Sequence, residues 1–167
     1  EVLRNTLGTQ VTIIAGNVAT LQAFNDLSDW GADAVRVGIG GGSICSTRIQ
    51  TGHGVPTLQS VLDCAASDRP AKLIADGGIK NSGDIVKAYA AGADFVMLGS
   101  MLAGTTETPG DIRYKQFPGQ CNPSKIKVYR GMASEDAQKD WRGKSSSVEG
   151  VATTIPYKGH VKNVLRS

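Results

Sequence analysis

Cys45 closes a glycine-rich run, GIGGGSICSTR, over residues 38–48. Glycine loses more conformational freedom on ordering than any other residue. Three in succession (Gly40, Gly41 and Gly42) therefore mark backbone that must take unusual dihedrals or lie against a ligand. Polar and glycine residues surround the thiol and Arg48 stands three positions on, a setting that favours the thiolate. A thiolate attacks electron-poor carbon well, so Cys45 is a candidate for covalent catalysis as well as for a small buried hydrophobe. The other two cysteines read differently. Cys64 falls on the apolar face of a helical stretch and is expected to be buried, whereas Cys121, in a loop with Pro and Gly, is expected on the solvent side. Three distant cysteines without a C-x-x-C pair argue against a disulfide framework or a structural zinc and for the reducing cytoplasm.

Two further loops carry chemistry-bearing residues. In ADGG (75–78), Asp76 could bind sugar hydroxyls while glycine N–H groups approach a phosphate; the alternative is an ordinary strand-to-helix turn. GSM (99–101) has the same logic and is similar to the phosphate grip at the end of a barrel. Glu149, in VEG (148–150), reads on its own as a solvated loop carboxylate. His53 and His160 share no metal-ligand spacing, and no metal catalysis is assigned to them.

The elements that must position these loops show in the apolar pattern. Four short β-branched runs, VTIIAGN (11–17), AVRVGIG (34–40), KLIADGG (72–78) and FVMLGS (95–100), are continuously apolar, as for strands covered on both faces of a parallel sheet. Helical stretches lie between them, TLQAFNDLSDWGAD, TLQSVLDCAASD and SGDIVKAYAAGAD, the last with Ser82 as its cap and Gly92 at its end. The pattern G-A-D-x-V-x-x-G occurs twice, at 31–38 and 92–99, each time leading from a helix into a strand. Repetition of strand and helix at this density predicts successive βα units. The Gly-, Asp- and Ser-rich loops all follow strands and so gather at the carboxyl end of the sheet, where parallel α/β folds bind ligands. A (β/α)₈ barrel needs about 250 residues, and four parallel strands alone leave two exposed edges. The expectation is an α/β fold: the C-terminal half of a TIM barrel, with residues 1–167 part of one catalytic domain. Residues 105–155 are expected as loop, hairpin and a short polar flap, with SEDAQKDW as a helical turn or two and RGKSSSVEGVATT mobile.

Composition narrows the partners. The chain has 167 residues, 40% hydrophobic and 20% charged, which suits one soluble core. A net charge of +3 with 5% aromatic residues gives neither a basic stripe nor interleaved stacking rings, so no nucleic-acid partner is expected. No apolar run reaches the roughly 18 residues of a membrane span. EVLRNTLGTQ lacks the marks of a signal peptide, and a cytoplasmic protein without a membrane partner is expected.

Taken in order, AGNVAT, GIGGGSICSTR, TGHGVP, IADGGIKNSGDIVKAYAAGADFVMLGSMLAG, YRGM and PYKG resemble the IMP dehydrogenase and GMP reductase family over nearly the whole chain. The resemblance implies a nicotinamide-dependent oxidoreductase of purine nucleoside monophosphates, usually a homotetramer. Cys45 would then be the nucleophile that attacks C2 of the purine, and Thr47 the neighbouring hydroxyl in proton transfer. Ser43, Gly78, Gly99, Ser100 and Tyr129 would hold the phosphate, and Asp76 the ribose hydroxyls. Gly131 and Met132 would lie beside the base, while Glu149, followed by Gly150, would face the purine ring. In the dehydrogenases, carbonyls matching Gly40, Gly42 and Cys45 help bind potassium; Gly41 departs from the usual Pro or Ser, which would loosen that loop.

The direction of the reaction divides the signals. ADGGI, GSM and YRGM resemble IMP dehydrogenase, which uses NAD, and because more motifs match it the expectation leans to IMP dehydrogenase, with GMP reductase as the alternative. The flap points to GMP reductase, which uses NADPH and releases ammonia. Only ASEDAQKDWRGKSSSV separates Met132 from Glu149, without the Arg-Tyr pair whose Arg activates the hydrolytic water. A nucleotide-binding fragment without activity is the third reading.

Overall fold

The computed structural model describes residues 1–132, 134–145 and 150–166. Elements follow the order α1 (Val2–Leu7), β1 (Ile14–Val18), α2 (Leu21–Asp29), β2 (Ala34–Val37), α3 (Thr47–Thr51), α4 (Thr57–Ala65), β3 (Lys72–Asp76), α5 (Ser82–Ala90) and β4 (Phe95–Met97). They continue through β5 (Arg113–Lys115), β6 (Ser124–Arg130), α6 (Glu135–Arg142), β7 (Ala152–Pro156) and α7 (Val161–Arg166). Two compact units result, one of residues 1–43 and 52–98, the other of residues 44–51 and 99–167.

The first unit is the parallel α/β sheet that the apolar runs predict, in the order β1-β2-β3-β4. Val35 and Val37 of β2 and Leu73 and Ala75 of β3 are buried, and Phe24 of α2 with Val61 and Cys64 of α4 pack into the same core. Each large apolar side chain removed from water in this way contributes about 1.5–3 kcal/mol. Burial on both faces holds only for the two central strands. Ile14 on β1 and Phe95 on β4 remain 57% and 54% exposed, because an edge strand has a neighbour on one side only.

The repeated Gly-Ala-Asp has a structural cause. Asp33 clamps residue Ile13 with two bonds: its N–H donates to the Ile13 carbonyl at 2.9 Å, and its Oδ2 accepts the Ile13 N–H at 2.7 Å. Asp94 does the same to Leu73, at 2.9 Å and 2.8 Å. Each aspartate thus ties the start of its own strand to the start of the strand before. Arg4 pairs with the Asp33 carboxylate, and Lys72 reaches Asp94 at 3.0 Å.

Two local expectations need correction. Asn81 caps α5, its side chain accepting the Asp84 N–H at 3.0 Å, and Ser82 is the first helical residue. Asn81 has the extended backbone of an N-cap, from which a short carbonyl side chain reaches the N–H three residues on. The stretch expected as mobile after α6, residues 142–154, runs into β7, which joins β5 and β6 in a three-stranded antiparallel sheet with Arg130 opposite Ala152. Its Thr and Ile residues suit a strand, but the pairing is with residues more than twenty positions away. The helical turn at SEDAQKDW is α6, capped by Ser134 and closed by Gly143 in the left-handed region. Its first turn is acidic and its last basic, as the helix dipole favours. Buried Lys127 gives its ammonium to the carbonyls of Thr105 and Thr108.

Burial pushes the Asp94 carboxyl up, but the Leu73 N–H and the Lys72 ammonium outweigh it and leave it below the ordinary carboxylate range. A depressed folded value means that this contribution is complete above the ordinary range and is lost as pH falls through the folded value. Asp94→Ala is expected to speed hydrogen exchange of the Leu73 amide roughly tenfold near neutral pH. The difference from the native protein should shrink as the carboxyl protonates, and an exchange rate unchanged at neutral pH would refute the clamp.

Candidate active site

In the first unit the loops after β2 and β3 meet backbone to backbone. A Cβ on Gly38 would stand 2.1 Å from the Asp76 carbonyl oxygen, and one on Gly77 would stand 2.9 Å from the Gly41 carbonyl carbon. Gly41 is seated rather than loose, since a Cβ there would meet Thr57 Oγ1 at 2.6 Å. The glycine run is therefore the condition for placing two ligand-side loops in contact. Gly40 and Gly78 adopt φ of 72° and 81°, open to glycine at no steric cost. Ser43 and Gly78 are exposed and Gly40 half-buried, as is the Asp76 side chain.

Asp76 is fixed from one side. Its Oδ2 accepts both Asn17 Nδ2 and Arg36 Nη2, each at 2.7 Å, and Asn17 Nδ2 also donates to the Gly38 carbonyl at 2.7 Å. Both lone pairs of Oδ2 are thereby used, and Oδ1 accepts from no donor among the described residues. Oδ1 is the atom through which this carboxylate can take hydroxyl donors. Asn17 and Arg36 went unassigned in the sequence, although both carried a signal. Asn17 sits where β1 ends, and Arg36 is the one charge in the buried AVRV strand.

In the second unit Cys45 is half-buried and its thiol donates to Thr47 Oγ1 at 3.2 Å. Ser46 turns the chain into α3, its carbonyl accepting Ile49 and Gln50 N–H groups at 3.0 and 2.9 Å. The Cys45 loop is held by a short antiparallel pairing. Cys45 bridges Gly150, and the Val151 N–H donates to the Ile44 carbonyl at 3.1 Å. Gly150 also bridges Ser134, the cap of α6. Gly131 donates to the Val151 carbonyl at 3.3 Å, and a Cβ there would approach Ile44 Cδ1 to 3.5 Å. Met132 beside it is 80% exposed. Tyr129 and Gly99 are also neighbours, with Tyr129 Oη 3.6 Å from where a Gly99 Cβ would be; Ser100 follows, half-buried. Cys45, Thr47, Gly131 and Gly150 are thus brought together, as are Gly99 and Tyr129. Glu149 lies outside the described residues.

A description of the "IMP dehydrogenase / GMP reductase domain" matches residues 1–167. The chain belongs to the IMP dehydrogenase / GMP reductase family. Curated relatives carry both names. Inosine-5'-monophosphate dehydrogenase of Thermoplasma acidophilum is 51% identical over 164 residues, which cover 93% of this chain and 33% of that protein. GMP reductase of Leishmania major is 47% identical over 174 residues, 97% of this chain and 34% of that protein. The crystal structure of a Cys-to-Ala variant of GMP reductase from Trypanosoma brucei, in complex with guanosine 5'-monophosphate, matches with a TM-score of 0.86 at 44% identity. That match covers 98% of this chain and 35% of that one. The chain spans about a third of the length of these relatives. Members of the IMP dehydrogenase / GMP reductase family are oxidoreductases of purine nucleoside monophosphates, and the family implies a nicotinamide cofactor. No helix among the described residues is long and apolar enough to cross a membrane, and no group of three or more His, Cys, Asp or Glu among them could hold a metal ion.

The three thiols separate as their surroundings dictate. Cys64 is 1% exposed, and burial, with the charge of Asp63 added, pushes its thiol up to about 11. Cys121 is exposed. Alkylation of the native protein at about pH 8 should label Cys121 and leave Cys64 unmodified until denaturant is added; peptide mass spectrometry reads both. Rapid native labelling of Cys64 would refute its placement in the core.

Proposed function

We propose that this chain is part of a (β/α)₈-barrel GMP reductase that works through a covalent bond between Cys45 and C2 of the purine. The observation that carries the covalent chemistry is the Cys45 thiol 3.2 Å from the Thr47 hydroxyl, on a loop pinned by Gly150 and Val151. The exposed edges of β1 and β4 support the barrel, since further strands would pair them.

In this reading Asp76 takes the ribose hydroxyls through Oδ1. Ser43, Gly78, Gly99, Ser100 and Tyr129 hold the phosphate, and Gly131, Met132 and Gly150 border the base. The Cys45 sulfur forms a bond to C2 while the C2–N bond breaks, and the amino group leaves as ammonia with a proton delivered through Thr47 and Glu149. A bound nicotinamide would supply the hydride that replaces sulfur at C2, and Cys45 would leave as the thiolate. One hydride and one proton replace the amino group by hydrogen, so the step balances. The donor set fits a cofactor partnership: the described side chains offer a nucleophile, hydroxyls and carboxylates, while the hydride chemistry is what a bound nicotinamide supplies.

The short flap supports this direction. Half of the sixteen residues between Met132 and Glu149 are committed to α6, which is closed by caps at both ends. The segment between Met132 and Glu149 contains no Arg-Tyr pair to activate water. Release of ammonia needs no such base, whereas a xanthosine adduct without one would hydrolyse slowly. IMP dehydrogenase is the second reading, favoured by ADGGI, GSM and YRGM; potassium at the carbonyls of Gly40, Gly42 and Cys45 belongs to it. A cytoplasmic homotetramer accompanies either reading.

With the complete protein, GMP and NADPH should give NADPH consumption with stoichiometric ammonia. NADH formation from IMP and NAD without that activity would reverse the assigned direction, and nucleotide binding without either turnover would remove the enzyme. Cys45→Ala should lower turnover by more than about a thousandfold while nucleotide binding persists; retained turnover would sink the covalent mechanism.

A further inference from the structure

PYKG (156–159) is a motif of the resemblance to which no role has been given, and in the second unit it lies against the GSM loop. Lys158 Nζ donates to the carbonyl oxygens of Ser100 at 2.8 Å and Met101 at 3.1 Å. The main chain of the same segment fastens the residues that follow. The Lys158 N–H donates to the Gly104 carbonyl at 2.9 Å, and the Thr106 N–H donates to the Gly159 carbonyl at 2.8 Å. Tyr157 and Thr106 join through their hydroxyls at 2.7 Å. A Cβ on Gly104 would stand 2.6 Å from the Pro156 carbonyl oxygen, so the approach depends on glycine at that position.

The direction of these bonds matters for an anion. In a trans peptide the C=O and the following N–H point opposite ways. With the Ser100 carbonyl turned to the ammonium, the Met101 N–H of the same peptide is turned away from it. The Gly99 carbonyl accepts the Leu102 and Ala103 N–H groups at 3.0 Å each, which leaves those two donors spent. The Ser100 and Met101 N–H groups meet no acceptor among the described residues. Successive N–H groups left unpaired beside a tyrosine hydroxyl are what a phosphate oxygen requires.

We propose that Lys158 is a positioning residue for the nucleotide phosphate. It holds the carbonyl dipoles of Ser100 and Met101 on itself, so that their negative ends do not oppose the phosphate, and adds a positive charge behind the loop. The ligand class is a nucleoside 5′-monophosphate rather than a nucleoside. This rests on the reading above that Gly99, Ser100 and Tyr129 hold the phosphate.

The test uses the complete protein and measures dissociation constants of GMP and guanosine for the native protein, K158M, K158Q and K158R. Lys158→Met should weaken GMP roughly tenfold and leave guanosine unchanged, since the oriented dipoles and the ammonium charge act only on the anion. Lys158→Arg should restore most of the GMP affinity, and Lys158→Gln, which keeps a donor without the charge, should fall between. Unchanged GMP affinity in K158M, or an equal loss for GMP and guanosine, would overturn the proposal as a merely structural clamp. Should K158M fail to fold by thermal melting, GMP binding to K158Q as tight as to K158R overturns it instead. A native protein that binds guanosine as tightly as GMP would instead remove the phosphate reading itself, whatever the variants do.

Discussion

The ligand end of the parallel sheet depends on a constraint at its opposite end. Asp33 and Asp94 each grip one residue of the preceding strand through main chain and carboxylate together. Strands rise by a fixed length per residue, so tying their starts determines where each one stops. Lys72 also donates to the Asp33 carbonyl at 2.9 Å, which links three strands through one aspartate. The loops that carry Gly38–Gly42 and Asp76–Gly78 therefore leave the sheet at matched heights. Without that register the approach of Gly77 to Gly41 could not form.

Given the register, glycine determines how close the loops come. Where Gly38 lies on the Asp76 carbonyl and Gly41 on Gly77, no Cβ fits without displacement, and the loops pack through main chain. This placement leaves peptide groups rather than side chains at the ligand end, which suits recognition of a phosphate and a sugar. Asp76 is the exception, and it is immobilised by two donors on the same oxygen. Arg36 contributes a charge-assisted bond to it from within a buried strand. Its Nε is buried without an acceptor, an expense that packing alone does not explain and that fits a residue kept for the carboxylate it holds.

The second unit solves a different problem, the fixing of a half-buried thiol on a loop. Cys45 is not built into a long element. Pairing of Ile44 and Cys45 with Gly150 and Val151, and of Gly150 with the cap of α6, supplies the rigidity instead. The cap of α6 and the Cys45 loop thus share one partner, Gly150, which joins the two mechanically.

Much of this was written in the sequence itself. Alternation of β-branched runs with helical stretches marked the four parallel strands, because such residues suit a pleated sheet, although only the two central runs are buried. The glycine loops were legible because glycine in succession has few other uses, and the cysteines sorted by their immediate neighbours. What the tertiary structure alone decided were partnerships between distant residues. The pairing of β7 with β6, Asn17 and Arg36 on Asp76, and Lys158 on the Ser100 and Met101 carbonyls join positions twenty to sixty residues apart. Such bonds are directional and short-ranged. Local composition can name the donors, but only the folded backbone brings each one to its acceptor.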